Sequence, residues 1–82
     1  MKTHTNHAMP LVMLGTGETA RVIEVRGGKE VNGRLASLGV LPGATVSAIR
    51  TTRGGPVILH VHDSRVAIGR GMAQKVMVEP TD

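Results

Sequence analysis

Apolar residues recur with a period of two in several short segments of the chain. Such alternation is typical of strands that bury one face. Glycine, proline and aspartate separate these segments at intervals of about ten residues, a spacing found in small all-β domains. The predicted strands cover residues 20–26, 45–51, 56–62, 65–68 and 75–79.

The first of these strands contains an irregularity. Val22, Ile23 and Val25 cannot all lie on one face of a regular strand, because neighbouring side chains point to opposite sides. A β-bulge adds one residue to a strand and restores the alternation beyond it. We therefore expect a bulge near Ile23 and Glu24.

One segment departs from the two-residue period. Val31, Leu35 and Leu38 are spaced as i, i+4 and i+7, which places them on one face of a short helix. Gly39 follows this stripe, where a glycine with positive φ commonly ends a helix. Residues 41–44 have the proline and glycine of a type II turn. We expect the helix to bury Leu35 and Leu38 against the strands.

Five short strands and one inserted helix predict a mainly β fold. A small closed antiparallel barrel suits this arrangement, because closure pairs the edge strands that an open sheet would leave exposed. The predicted domain spans residues 11–82 and follows a flexible N-terminal tail of residues 1–10.

Composition excludes several kinds of site. The chain has no cysteine and no Phe, Trp or Tyr, so it lacks disulfides, cysteine-bound metal centres and aromatic platforms for nucleic-acid bases. The net charge of +4 comes from ten Lys and Arg residues against six Asp and Glu, and no two of these cations are adjacent in sequence. Dispersed cations without aromatics argue against a nucleic-acid-binding barrel, which we keep only as an alternative.

The chain also lacks the signs of a membrane protein or an enzyme. No apolar run reaches the roughly 18 residues of a membrane span, and the N-terminus has no apolar signal-peptide stretch. We therefore expect a cytoplasmic protein without direct membrane insertion. No Ser–His–Asp grouping or carboxylate pair forms a catalytic set, so the sequence predicts no enzyme.

His60 and His62 have a spacing that suits a metal ion. Residues i and i+2 of a strand project from one face with Cα atoms roughly 6.6 Å apart, so two imidazoles can share a divalent ion. A tight site needs a third or fourth ligand, which Asp63, His4, His7 or the same pair in a second copy could supply. The alternative is that both histidines lie on the outer face without a ligand.

The run GRLASLGVLPG at residues 33–43 resembles the RL-x-x-(L/M)-G-(L/V)-x-P-G signature of the FeoA family of ferrous-iron transport accessory proteins. The resemblance extends on both sides and covers residues 11–79. It departs from the family at Gly33, where a second basic residue is common, and around residues 63–70. Neither departure disturbs the expected fold.

This resemblance implies a Src-homology-3-like barrel and a non-enzymatic accessory role in ferrous iron uptake. The implied partner is FeoB, the membrane transporter of Fe(II) that carries a cytoplasmic GTPase domain. The family motif contains no metal ligand, so no cofactor is required. The predicted partner-binding surface is the helix and the following turn, with contacts at Arg34, Ala36, Ser37, Val40 and Leu41.

Two other functions stay open. One is a metal-responsive binder in which His60 and His62 capture Fe(II) or Zn(II), either within one copy or across a homodimer. The other is the nucleic-acid-binding small barrel, whose affinity would fall steeply with salt.

Overall fold

The structure is a computed structural model that describes residues 8–51 and 53–81. It contains a 3-10 helix at Leu11–Met13 and the helices α1 (Gly28–Ser37) and α2 (Arg70–Ala73). None of the helices in the described ranges is long and apolar enough to cross a membrane. The strands are β1 (Met9–Pro10), β2 (Thr19–Val25), β3 (Thr45–Thr51), β4 (Val57–Val61), β5 (Ser64–Ile68) and β6 (Val76–Thr81).

These strands form a six-stranded antiparallel sheet in the order β1-β6-β2-β3-β4-β5. The mainly β antiparallel fold with an inserted helix is thus confirmed. The closed barrel is not confirmed, because no ladder joins β5 to β1 within the described ranges. The sheet is open between its two terminal strands.

Strand β1 lies inside the predicted tail. Met9 pairs with Val78 and Pro10 with Met77, so the sheet begins two residues before the expected domain boundary at residue 11. A strand of two residues is too short to show alternation, which is why the pattern predicted about five strands instead of six. Residues 1–7 of the predicted tail lie outside the described residues.

The expected bulge in β2 is present. The register with β6 shifts between Val22 and Glu24, which leaves Ile23 as the extra residue. A second shift, between Ala48 and Arg50 of β3, was not expected from the sequence. Both irregularities increase the local twist of the sheet.

The core is entirely aliphatic. Val57, Leu59 and Val61 are buried, as the alternation of β4 predicted. No polar or charged side chain is buried among the described residues. The largest fully buried side chains are Leu11, Leu14, Leu35, Leu59, Ile68, Val22, Val40, Val46, Val57, Val61, Val76 and Val78.

Helix α1 is fixed to the sheet at its start and near its end. The Asn32 side chain accepts a hydrogen bond from Gly27 N at 3.0 Å and donates one to Val25 O at 3.1 Å. Leu35 is fully buried, and Val31 packs partly against the core. The helix therefore has little freedom to move relative to β2.

Leu38 is not a core residue, contrary to the helical stripe predicted from sequence. Helix α1 ends at Ser37, and the backbone of Leu38 (φ −93°, ψ 0°) no longer continues the helix. Its side chain is 41% exposed. Gly39 has a φ of +93°, which confirms its predicted place after the helix.

Candidate functional site

The end of α1 is a compact hydrogen-bonded cap. Gly39 N donates to Ala36 O at 2.9 Å, and Val40 N donates to Leu35 O at 2.9 Å. These two bonds, with the positive φ of Gly39, form a Schellman motif. In that motif the residue two positions after the C-cap packs against the helix residue five positions before it. Here these residues are Val40 and Leu35, which explains why both are buried.

The following turn is fixed to the sheet. Ala44 N donates to Leu41 O at 3.0 Å, and Gly43 has a φ of +94°, which confirms the predicted type II turn. Gly43 N donates to Val22 O, and Val22 N donates to Ala44 O, both at 2.8 Å. The turn is therefore held against β2 just before the bulge.

These bonds set which side chains face solvent. Val40 is fully buried, so its prediction as a partner contact is corrected: its side chain packs into the core as part of the helix cap. Leu38 and Leu41, on either side of it, are each 41% exposed. We define the helix–turn surface as the exposed residues Arg34, Ala36, Ser37, Leu38 and Leu41.

The 3.6-residue period alone places Leu38 in the core, but that period ends with the helix at Ser37. The signal that could have identified Leu38 as exposed is the glycine cap itself. A Schellman motif replaces the i, i+3 apolar pair with an i, i+5 pair, here Leu35 and Val40. The leucine between them then points outward.

His60 and His62 line the same open pocket. The pocket has a volume of about 480 Å³ and is completed by Gly43, Ala44, Thr45 and Ser47. Both imidazoles are exposed. The pocket adjoins the turn of the helix–turn surface through Gly43 and Ala44.

His62 does not belong to the strand, however. Strand β4 ends at Val61, which pairs with Ser64, so the hairpin turn consists of His62 and Asp63. The sequence had placed this turn one residue later, at Asp63 and Ser64, and that placement was wrong. His62 has a φ of +58°, a conformation that few residues other than glycine adopt and that residue type therefore did not predict.

The ring of His62 lies close to the cap of α1. A Cβ atom built on Gly39 would be 3.0 Å from His62 Cδ2 and 3.0 Å from Val61 Cγ1. Only a glycine leaves room for this approach while holding a positive φ. The histidine pocket and the helix–turn surface are thus neighbours.

The described residues offer a metal two imidazoles and no third strong ligand. No group of three or more His, Asp or Glu side chains converges in residues 8–51 and 53–81. Asp63 therefore does not complete a site there, and His4 and His7 lie outside the described residues. Ser47 also lines the pocket, and its hydroxyl lies 3.2 Å from Thr19 Oγ1. Such a donor set suits weak binding of a divalent ion, not a closed tetrahedral site.

Comparisons with known proteins agree on one family. The model of the FeoA domain matches residues 9–80. An Fe(2+) transport protein A of Methanocaldococcus jannaschii is 38% identical over 73 residues, which cover 89% of this chain and 88% of that protein.

Solved structures with the same fold include members of this family. The crystal structure of an iron uptake regulatory protein, FeoA, has 36% identity and a TM-score of 0.88, and the match covers 92% of this chain and 100% of that one. The FeoA of Stenotrophomonas maltophilia, solved with zinc and described as a prokaryotic SH3 domain protein, has 26% identity and a TM-score of 0.75, covering 87% and 89%. A manganese-dependent transcriptional repressor shares the fold at 18% identity and a TM-score of 0.84, over 98% of this chain and 45% of that one.

Proposed function

The chain belongs to the FeoA family, and on that basis we propose that it is a non-enzymatic accessory protein of ferrous iron transport. Its curated relative carries the name of an Fe(2+) transport protein. We propose further that it binds the cytoplasmic GTPase domain of an FeoB-type transporter, and that the helix–turn surface makes this contact.

The exposure of Leu38 and Leu41 on a rigid segment supports this assignment. Two large apolar side chains stand on either side of a buried residue, with the polar Arg34 and Ser37 beside them. Protein interfaces commonly combine an apolar centre with a polar rim. Because the helix cap and the turn are already hydrogen-bonded, this segment is ordered before it binds a partner. Binding therefore loses less conformational entropy, which favours affinity.

The test is an affinity measurement between the full chain and the transporter's cytoplasmic domain. Leu38→Asp and Leu41→Asp should each weaken binding at least tenfold, because each puts a charge at the centre of the contact. The matched control is Met13→Asp, which alters another exposed apolar side chain (67% exposed) on the 3-10 helix. Wild-type affinity in both leucine variants would contradict the proposed contact.

A second role for the same region is weak capture of a divalent metal by His60 and His62. The observation that favours it is their shared pocket. Two imidazoles leave coordination positions open, so we propose that a second copy of the chain completes the site in a homodimer.

A further inference from the structure

Strand β5 has a sheet neighbour on one side only. It pairs with β4 from the hairpin turn to Ile68. A two-residue turn is flanked by a hydrogen-bonded pair, and bonded and non-bonded pairs alternate beyond it. Val66 and Ile68 are therefore bonded to β4, whereas Arg65 and Ala67 direct their N–H and C=O groups away from it. Neither forms a backbone hydrogen bond to another described segment.

The side chains of this edge border a groove. Arg65 and Ala67 are exposed on the outer face of the sheet. Beside them lies a groove of about 300 Å³ lined by Ile49, Arg50, Ile58 and Arg65. Because Ala67 is small and pairs with Ile58, it leaves open space on this face for the side chains of a neighbouring strand.

The groove itself carries positive charge. Arg50 and Arg65, which line it, are exposed, and neither forms a salt bridge within the described part of the chain. Glu24 of β2 is already paired with Arg26 at 3.0 Å. Glu18 accepts a hydrogen bond from Gly15 N at 2.7 Å. An acidic ligand is the chemistry that these arginines complement.

We infer that the open edge of β5 and its groove bind an extended polypeptide segment in which acidic and apolar residues alternate. The segment adds a strand to the sheet, and its backbone bonds to Arg65 and Ala67. Because successive side chains of a strand point to opposite faces, its acidic side chains lie on the outer face and pair with Arg50 and Arg65 along the groove, and its apolar side chains lie on the other face beside Val66, which packs partly against the core. A second copy of this chain is a poorer occupant, because two β5 strands would bring like-charged arginines together. This surface is separate from the helix–turn surface, so the inference does not rest on the proposed function.

Amide hydrogen exchange on the full chain tests the inference at single residues. The probe is an eight-residue peptide that alternates valine and glutamate, and its control alternates valine and lysine. At saturating glutamate peptide, exchange should slow at least tenfold at Arg65 and Ala67, whose N–H groups gain partners. Exchange at Val66 and Ile68 should change little, because they are already bonded to β4.

Two variants separate the backbone and charge contributions. Ala67→Pro removes one outward N–H and leaves the ladder with β4 intact, since proline is tolerated on an edge strand; it should abolish peptide binding. Arg50→Glu/Arg65→Glu should weaken binding at least tenfold, whereas Arg21→Glu/Lys29→Glu, with the same change of net charge, should not. If Ala67→Pro fails to fold, the double variants and the exchange pattern still decide the matter.

Four results would overturn the inference. The first is that the lysine peptide binds as tightly as the glutamate peptide, and the second is that amide exchange slows at residues outside β5. The third is that exchange slows with rising protein concentration in the absence of peptide, which would indicate a second copy. The fourth is binding of a single-stranded oligonucleotide where the glutamate peptide fails, which would assign the arginines to nucleic acid.

Discussion

Replacing Gly39 with alanine tests the contact between the helix cap and the β4–β5 hairpin. A left-handed backbone costs a residue with a side chain about 1–2 kcal/mol. At Gly39 the new Cβ would also lie 3.0 Å from Val61 Cγ1, inside the about 3.5–4.0 Å of an unstrained carbon contact. Val61 is buried and cannot move aside freely, and overpacking of this kind typically costs about 1–3 kcal/mol. We expect Gly39→Ala to lower the free energy of unfolding by about 2–5 kcal/mol.

Gly43→Ala is a closely matched control. Its φ of +94° is nearly that of Gly39 at +93°, but a Cβ atom there would meet no atom within 4 Å. Only the backbone cost of about 1–2 kcal/mol should remain. Both substitutions restrict the unfolded chain equally, so that effect cancels in the comparison.

Urea unfolding followed by far-UV circular dichroism measures both variants, since the chain has no Trp or Tyr to report by fluorescence. Gly39→Ala should be less stable than Gly43→Ala by at least about 1 kcal/mol, which corresponds to about 4–8 °C in Tm for a domain of this size. Equal destabilisation would show that the hairpin does not approach Gly39. Partial recovery in Gly39→Ala/His62→Ala would assign part of the cost to the imidazole.

Two further predictions concern the core and the histidine pocket. Leu35→Ala should lower the free energy of unfolding in urea by about 2–5 kcal/mol, because Leu35 is fully buried. The control Leu41→Ala should lower it by less than about 1 kcal/mol, because Leu41 is exposed. Similar values for the two variants would contradict the core assignment. In titrations followed by calorimetry and light scattering, Zn(II) should bind weakly and promote self-association, and Fe(II) should bind more weakly still. His60→Ala/His62→Ala should lose both effects, and if that variant behaves like the wild type, the histidines are not ligands.

Local patterns predicted much of this fold. The inner face of β4, the bulge at Ile23, the glycine after α1 and the type II turn each depend on a few neighbouring residues. Alternation, helical spacing and the conformational freedom of glycine are visible in such short windows. Each of these features is confirmed.

The features that were missed depend on contacts between distant segments or on unusual backbone. Strand β1 is defined by its pairing with β6, which is distant in sequence. Whether the sheet closes depends on whether its two terminal strands, β1 and β5, pair with each other. The shift of the hairpin turn requires a positive φ at His62, which is uncommon for any residue other than glycine. Leu38 is exposed and Val40 is buried, which is the reverse of the prediction. The geometry of the helix cap causes this, because it overrides the helical period. The two histidines were predicted from strand spacing, although His62 lies in the turn, and their binding of a metal stays a prediction.

The approach of His62 to Gly39 has a consequence for nuclear magnetic resonance. With no Phe, Trp or Tyr in the chain, the four histidines are its only aromatic rings and so its only sources of ring-current shifts. The imidazole of His62 lies against Gly39, and a methyl group of Val61 approaches the same glycine. The α-protons of Gly39 and the methyl groups of Val61 should therefore have displaced resonances against an otherwise narrow aliphatic spectrum. The displacement of these resonances depends on the position of the His62 ring. It therefore reports, without an added label, any movement of that ring when a metal binds in the histidine pocket or a partner binds to the helix–turn surface.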